Sequence, residues 1–382
     1  MGIKTRLISD ELFFSIAFFL TAILKPITVM VSYSALLLLF VYLTLFAVVI
    51  IRNNFKLFLS GKNGVLAIIL IVCILFAFDI IFRKNSTTLS LFNDFLRCGI
   101  IPFLFLLYVK DYNKLLYTWA IMAICVGVMY CTEPINGYHL TGNYMQFGYG
   151  EMLPAFLGAL ILIYFFKYKW IFILAVFFFI ELCVFANKGA IVTASVSVIV
   201  IILLSKRKVE PKIYFAIGVL ALFVVIFNRN ILELFYGIAK RLDFNSYSLN
   251  TISMMINGQS ESILNLRFDI WKDVMELLEG HWVDGRGIGY YMSLRQTYPH
   301  NVFLDILLHS GVIWMILFCV LFSKTLFEIK RMHSIDKRNF AISMLLLWLI
   351  PMNMSLTLWQ YTPFWIYFWI VLSRDRNRQI IQ

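Results

Sequence analysis

The chain has 382 residues, of which 61% are hydrophobic and only 14% charged, with a mean hydropathy of +0.84. Soluble domains carry about 25% charged residues, and no soluble fold of this length hides so much apolar surface, so a water-soluble globular protein is excluded. The net charge of +12 lies in short stretches between apolar runs, a pattern that sets membrane topology, and no basic face is interleaved with aromatics to suit nucleic acid.

Lys4 and Arg6 precede an apolar run from Leu12 to Leu24 with no small-residue cleavage site after it, so the run reads as a first membrane anchor. A span needs about 20 apolar residues. Suitable runs lie near 11–29, 31–51, 64–82, 89–109, 114–132, 149–166, 170–186, 190–204, 212–228, 300–323, 339–357 and 361–373. This pattern predicts an all-α polytopic membrane protein of about twelve transmembrane helices. With the N-terminus inside, Arg52, Lys56, Lys62, Lys110, Lys114, Lys167, Lys169, Lys206, Arg207, Lys208, Lys212, Lys324, Lys330, Arg331, Lys337 and Arg338 all face inward. The short outer loops keep only Lys25, Arg83, Lys84 and Lys188, so both termini are placed in the cytoplasm.

Three regions follow: an N-terminal bundle of about nine helices over 1–228, a large outer loop over 229–299, and C-terminal helices over 300–382. The loop has a Ser/Asn-rich middle, then Ile263, Leu266, Ile270, Val274 and Leu277 at the spacing of an amphipathic helix. The six cysteines show neither CxxC nor Cys/His spacing, so no metal site or disulfide framework is predicted.

Candidate chemistry gathers at the end of that loop. His300 follows Pro299 at the outer mouth of the tenth span, near a helix N-terminus that disfavours imidazolium. It is either a neutral proton acceptor or an interfacial histidine at a wet-dry boundary. Arg267, Arg286 and Arg295 share its side of the membrane and suit a lipid-linked phosphate or diphosphate, or else a solvated loop surface. Lys188, between two spans on the same face, carries the same two readings. Inside the spans, Asp94 with Arg97 and Asp305 with His309 are spaced to pair across one helical turn. The Gly285-x-Gly287-x-Gly289 run lacks the strand and βα unit of a nucleotide fingerprint, and reads as a turn or a close backbone approach.

At these residues the sequence resembles the bacterial O-antigen polymerases (Wzy type) and O-antigen ligases. The matching order is Arg267 and Trp271, then Gly287 and Gly289, then His300, Asn301, Leu304 and Gly311. An earlier family step of Ser/Thr-Arg-Gly/Ala is matched by Asn187-Lys188-Gly189, with lysine in place of arginine. The resemblance implies a GT-C-like, metal-independent, inverting glycosyltransferase in the bacterial inner membrane, its active site facing the periplasm. It implies no cofactor, an undecaprenyl-diphosphate-linked oligosaccharide as donor, membrane lipid around it, and a chain-length-regulator protein as partner. His300 would be the catalytic base, and Arg267, Arg286, Arg295, Lys188 and Asn301 would bind diphosphate or glycan. The first outer loop, Lys25 to Met30, lacks the acidic residues of metal-dependent GT-C relatives. Polymerase is preferred to ligase, whose acceptor is lipid A-core. A lipid-linked-sugar flippase is the alternative from another class.

Overall fold

Ser9 caps the first helix, α1 (Asp10–Thr28), by accepting from the Leu12 amide, and Asp10 and Glu11 lie in the first turn, against the positive end of the helix dipole. The computed structural model describes residues 9–29, 34–56, 59, 61–204, 237 and 260–373, and among these the structure is all-helical. After α1 come α2 (Ser34–Arg52), α3 (Asn63–Arg83), α4 (Thr88–Leu106), α5 (Tyr112–Tyr130), α6 (Tyr144–Tyr164), α7 (Phe172–Phe185) and α8 (Lys188–Leu204). Later in the chain are α9 (Ser260–Leu277), α10 (Tyr290–Arg295), α11 (Val302–Lys330), α12 (Ile335–Leu349) and α13 (Thr362–Leu372).

Six of these, α1, α3, α4, α5, α6 and α11, are long and apolar enough to cross a membrane. The run expected near 212–228 and the Ser/Asn-rich stretch lie outside the described residues. The run expected over 339–357 is not one helix. Pro351 has no N–H to continue the ladder, so α12 stops at Leu349 and a short turn, Pro351–Asn353, follows. The 11 residues of α13 rise only about 16 Å, roughly half of a hydrocarbon core. Three helices contain π-helical turns: Asp79–Arg83 ends α3, Leu96–Ile100 interrupts α4 and Phe147–Met152 opens α6.

The chain divides into two compact units, each made of two chain segments: Met1–Leu45 with Lys110–Ile263, and Phe46–Val109 with Leu264–Gln382. In the first, α6 is buried nearly all round and packs on α5 through small residues. A Cβ on Gly158 would lie 2.7 Å from the Ala120 carbonyl oxygen, and a Cβ on Gly127 would lie 2.3 Å from the Ala155 methyl carbon. Small residues let helix backbones approach where the hydrophobic effect between helices is weak.

The second unit is centred on aromatic side chains of α12 and α13, with Trp348 and Trp369 fully buried. The Trp369 indole donates to the Gly99 carbonyl of α4 at 2.9 Å. The apolar face of α9 lies on α11. Val274 and Leu278 are fully buried with Leu307 and Leu308 of α11, and Ile270, Leu277 and Leu304 pack beside them. The amphipathic spacing therefore serves to dock α9 on α11.

Candidate functional site

The second unit contains His300, Arg267, Arg286, Arg295 and Asn301. Their positions follow from how α9, the 278–301 segment and α11 are tied together. Asn301 is the N-cap of α11, its Oδ1 accepting from the amides of Phe303 and Leu304 at 3.0 and 3.2 Å. His300 thus stands one residue outside the helix, with a left-handed backbone (φ 56°) that non-glycine residues adopt at a cost. Its ring is half-buried and its Nδ1 is buried without a hydrogen-bond partner. The Tyr298 ring lies 4.5 Å from it, centroid to centroid.

Burial pushes the His300 imidazole down to about 4, helped by the positive charge of Arg267. His300 is therefore neutral at physiological pH. Arg267, on α9, places its Nη1 3.4 Å from the Met354 sulfur, a weak acceptor. Met354 adjoins Ser355, the acceptor of the Tyr298 hydroxyl, so Arg267 ends on the segment that holds Tyr298 against His300.

The other two loop arginines are committed elsewhere. Arg295 forms a two-point ion pair with Asp273, Nη2 to Oδ1 at 2.6 Å and Nε to Oδ2 at 3.0 Å. The pairing holds the Asp273 carboxyl below the usual carboxylate range. Arg286 donates from Nε to the Leu277 carbonyl at 2.6 Å, satisfying an orphan C=O at the end of α9, and covers the Tyr290 ring. Leu277 is ten residues beyond Arg267, about 15 Å along the helix axis. Arg286 is thereby set apart from the His300 neighbourhood. Lys188 belongs to the first unit, where it is the exposed first residue of α8, beside an Asn187 whose Oδ1 caps the helix.

The glycine-rich turn is filled by protein. The Ile288 amide donates to the Asp79 carboxylate, and the carbonyls of Ile288 and Gly289 accept from Thr88 and Thr87. Arg83 donates to the carbonyls of Asp284 and His309 at 2.7 and 3.1 Å. Cβ atoms on Gly287 and Gly289 would strike Arg83 and Thr87 at 2.7 and 2.3 Å. Close approach is required here, and what approaches is the chain's own connection from the end of α3 to the start of α4.

Both pairs expected within the spans form. Arg97 meets Asp94 at 2.6 Å, and Gln360 donates to the other Asp94 oxygen at 2.7 Å. His309 Nε2 meets Asp305 at 3.1 Å, Thr357 donates to Asp305 at 2.9 Å, and the Trp359 indole approaches His309 Nδ1 at 3.4 Å. With every member partnered, this buried network is suited to fixing the break in α11. Tyr298 and Ser355, which no motif spacing marks, join the site because the Tyr298 hydroxyl donates to the Ser355 carbonyl. An aromatic residue two before the histidine is the one local sign of it.

Comparison with known protein families, with curated proteins and with solved structures gives no match for this chain. The composition and fold define its class, a helical membrane-embedded protein.

Proposed function

We propose that the chain is a surface-polysaccharide polymerase of the O-antigen type, a metal-independent inverting glycosyltransferase of about twelve spans with a GT-C-like arrangement. In this reading it lies in the bacterial inner membrane with both termini cytoplasmic, and His300 faces the periplasm. The observation that carries the proposal is the half-buried His300 with an unpartnered Nδ1, kept neutral by burial and by the charge of Arg267. A buried polar atom without a protein partner calls for an explanation, and a ligand group is one.

In the proposed reaction the acceptor sugar's hydroxyl oxygen attacks the anomeric carbon of the donor glycan. The bond from that carbon to the undecaprenyl-diphosphate oxygen breaks, and its electron pair leaves with the diphosphate. His300 takes the hydroxyl proton, and Arg267 stabilises the negative charge that develops on the leaving group. A diphosphate opposite Arg267 offsets the charge that depresses His300, so the imidazole becomes more basic once the donor is bound. Arg286 and Arg295 hold their loop in place.

The test is elongation of a purified undecaprenyl-diphosphate repeat unit, with EDTA present. Wild type makes long chains, and His300→Ala makes them slower by about 10²–10⁴-fold while remaining folded. If wild type extends only lipid A-core, the enzyme is a ligase. Failure with both acceptors sinks the glycosyltransferase reading in favour of a transporter.

A further inference from the structure

His300 occupies a backbone conformation that costs energy, and three contacts over-determine it. On its C-terminal side, Asn301 is locked as the cap of α11. On its N-terminal side, the Pro299 carbonyl accepts from the Trp271 indole N–H of α9 at 3.2 Å. Two residues before it, the Tyr298 hydroxyl donates to the Ser355 carbonyl in the segment after α12. The Tyr298 ring also lies 4.5 Å from the imidazole, so one side chain constrains both the backbone and the ring of His300. A cap residue followed by a helix requires Asn301 alone. Nothing in the helix start demands a left-handed residue at 300 with a tyrosine and a tryptophan pinning the two residues before it. Strain that persists because its surroundings impose it is a mark of preorganisation.

We propose that Tyr298 and Trp271 are positioning residues for His300, holding its left-handed backbone and its ring in place. The consequence for turnover rests on the reading of His300 as the base; the consequence for the geometry of His300 does not. Trp271 reaches from α9 and Ser355 accepts from beyond α12, so three separate parts of the second unit meet at one residue. Loss of either donor frees the backbone to relax towards φ < 0, which turns the ring away from its place. Asn301 and the apolar packing of α9 on α11 are untouched by that loss.

The variants are Tyr298→Phe and Trp271→Phe, each keeping a ring and removing the donor. Two readouts are taken on the full chain in detergent. The first is acylation of His300 by diethyl pyrocarbonate, which attacks neutral imidazole, followed by peptide mass spectrometry across pH. Wild-type His300 reacts slowly, at a rate that does not change between about pH 5 and pH 8. Both variants react several-fold faster and acquire a pH dependence, because the freed ring gains water. A variant that is only less stable keeps the wild-type profile below its unfolding temperature. The second readout is glycan extension, where kcat falls about ten- to a hundredfold with KM unchanged. Wild-type acylation rates in both variants overturn the proposal. Absence of extension by wild type overturns the function reading alone, and acylation then decides the positioning claim.

Discussion

Gly311→Ala should be among the most damaging single-methyl additions in the second unit. Gly311 interrupts α11 with φ 83° and ψ 180°, a region that essentially only glycine occupies. The 282–287 segment fits into the break: the amides of Arg286 and Gly287 donate to the carbonyls of Leu308 and His309 at 2.7 and 2.9 Å, and the Val312 amide donates to Trp282 at 2.8 Å. A Cβ at 311 would lie 2.0 Å from the Val283 carbonyl oxygen and 2.8 Å from the Asp284 nitrogen. Both are backbone atoms, so relief requires the whole segment to withdraw. The conformation itself costs about 1–3 kcal/mol in a non-glycine residue. Withdrawal then forfeits three hydrogen bonds worth about 1 kcal/mol each. The sum, about 4–6 kcal/mol, is a large part of what holds a domain folded. The control is Gly280→Ala, since Gly280 also has a positive φ, of 75°, but nothing within 4 Å of an added Cβ, leaving only the left-handed strain of about 1–2 kcal/mol. Unfolding by SDS titration in mixed micelles compares the two. If Gly311→Ala costs no more than Gly280→Ala, the segment does not depend on that break and the reasoning fails.

Free-enzyme kcat/KM should lose activity on the acid side only near pH 4, because depression of His300 keeps the base neutral above that value; an acid limb near the ordinary 6.5 would contradict its burial. Arg267→Gln removes the lesser of the two causes, so the acid limb should move up yet stay below 6.5, while kcat falls about 10²–10³-fold; an unchanged limb would separate Arg267 from His300. Asp305→Leu strands His309 Nε2 and the Thr357 hydroxyl in a buried site and should destabilise by about 2–6 kcal/mol, at about 1–3 kcal/mol for each unsatisfied group. Adding His309→Leu should cost less than the sum of the two single changes, and additivity in that double-mutant cycle would mean the pair is not coupled.

Much of the local structure is legible in the sequence because its causes are local. Apolar runs place the long helices, since only a helix satisfies its backbone within a bilayer. Spacing of three and four residues foretells the Asp94–Arg97 and Asp305–His309 pairs. The period of Ile270, Val274 and Leu277 foretells α9 and its buried face. A proline after a hydrophobic run bears on the early end of α12, although the apolar content alone suggested a longer span.

What the tertiary structure alone decided is how residues distant in sequence share a place. Arg267, Arg286 and Arg295 look equivalent by composition. Folding separates them, because Asp273 captures Arg295 and the end of α9 captures Arg286, while Arg267 turns to Met354, next to the Ser355 that accepts from Tyr298. The glycine run carried no sign that its partners would be Asp79, Arg83, Thr87 and Thr88, some two hundred residues earlier. The division into two units is equally invisible, since each joins two chain segments. Sequence period encodes which face of a helix is apolar, but the partner of that face is chosen by packing of the whole unit, where shape and hydrogen-bond satisfaction operate across any length of chain.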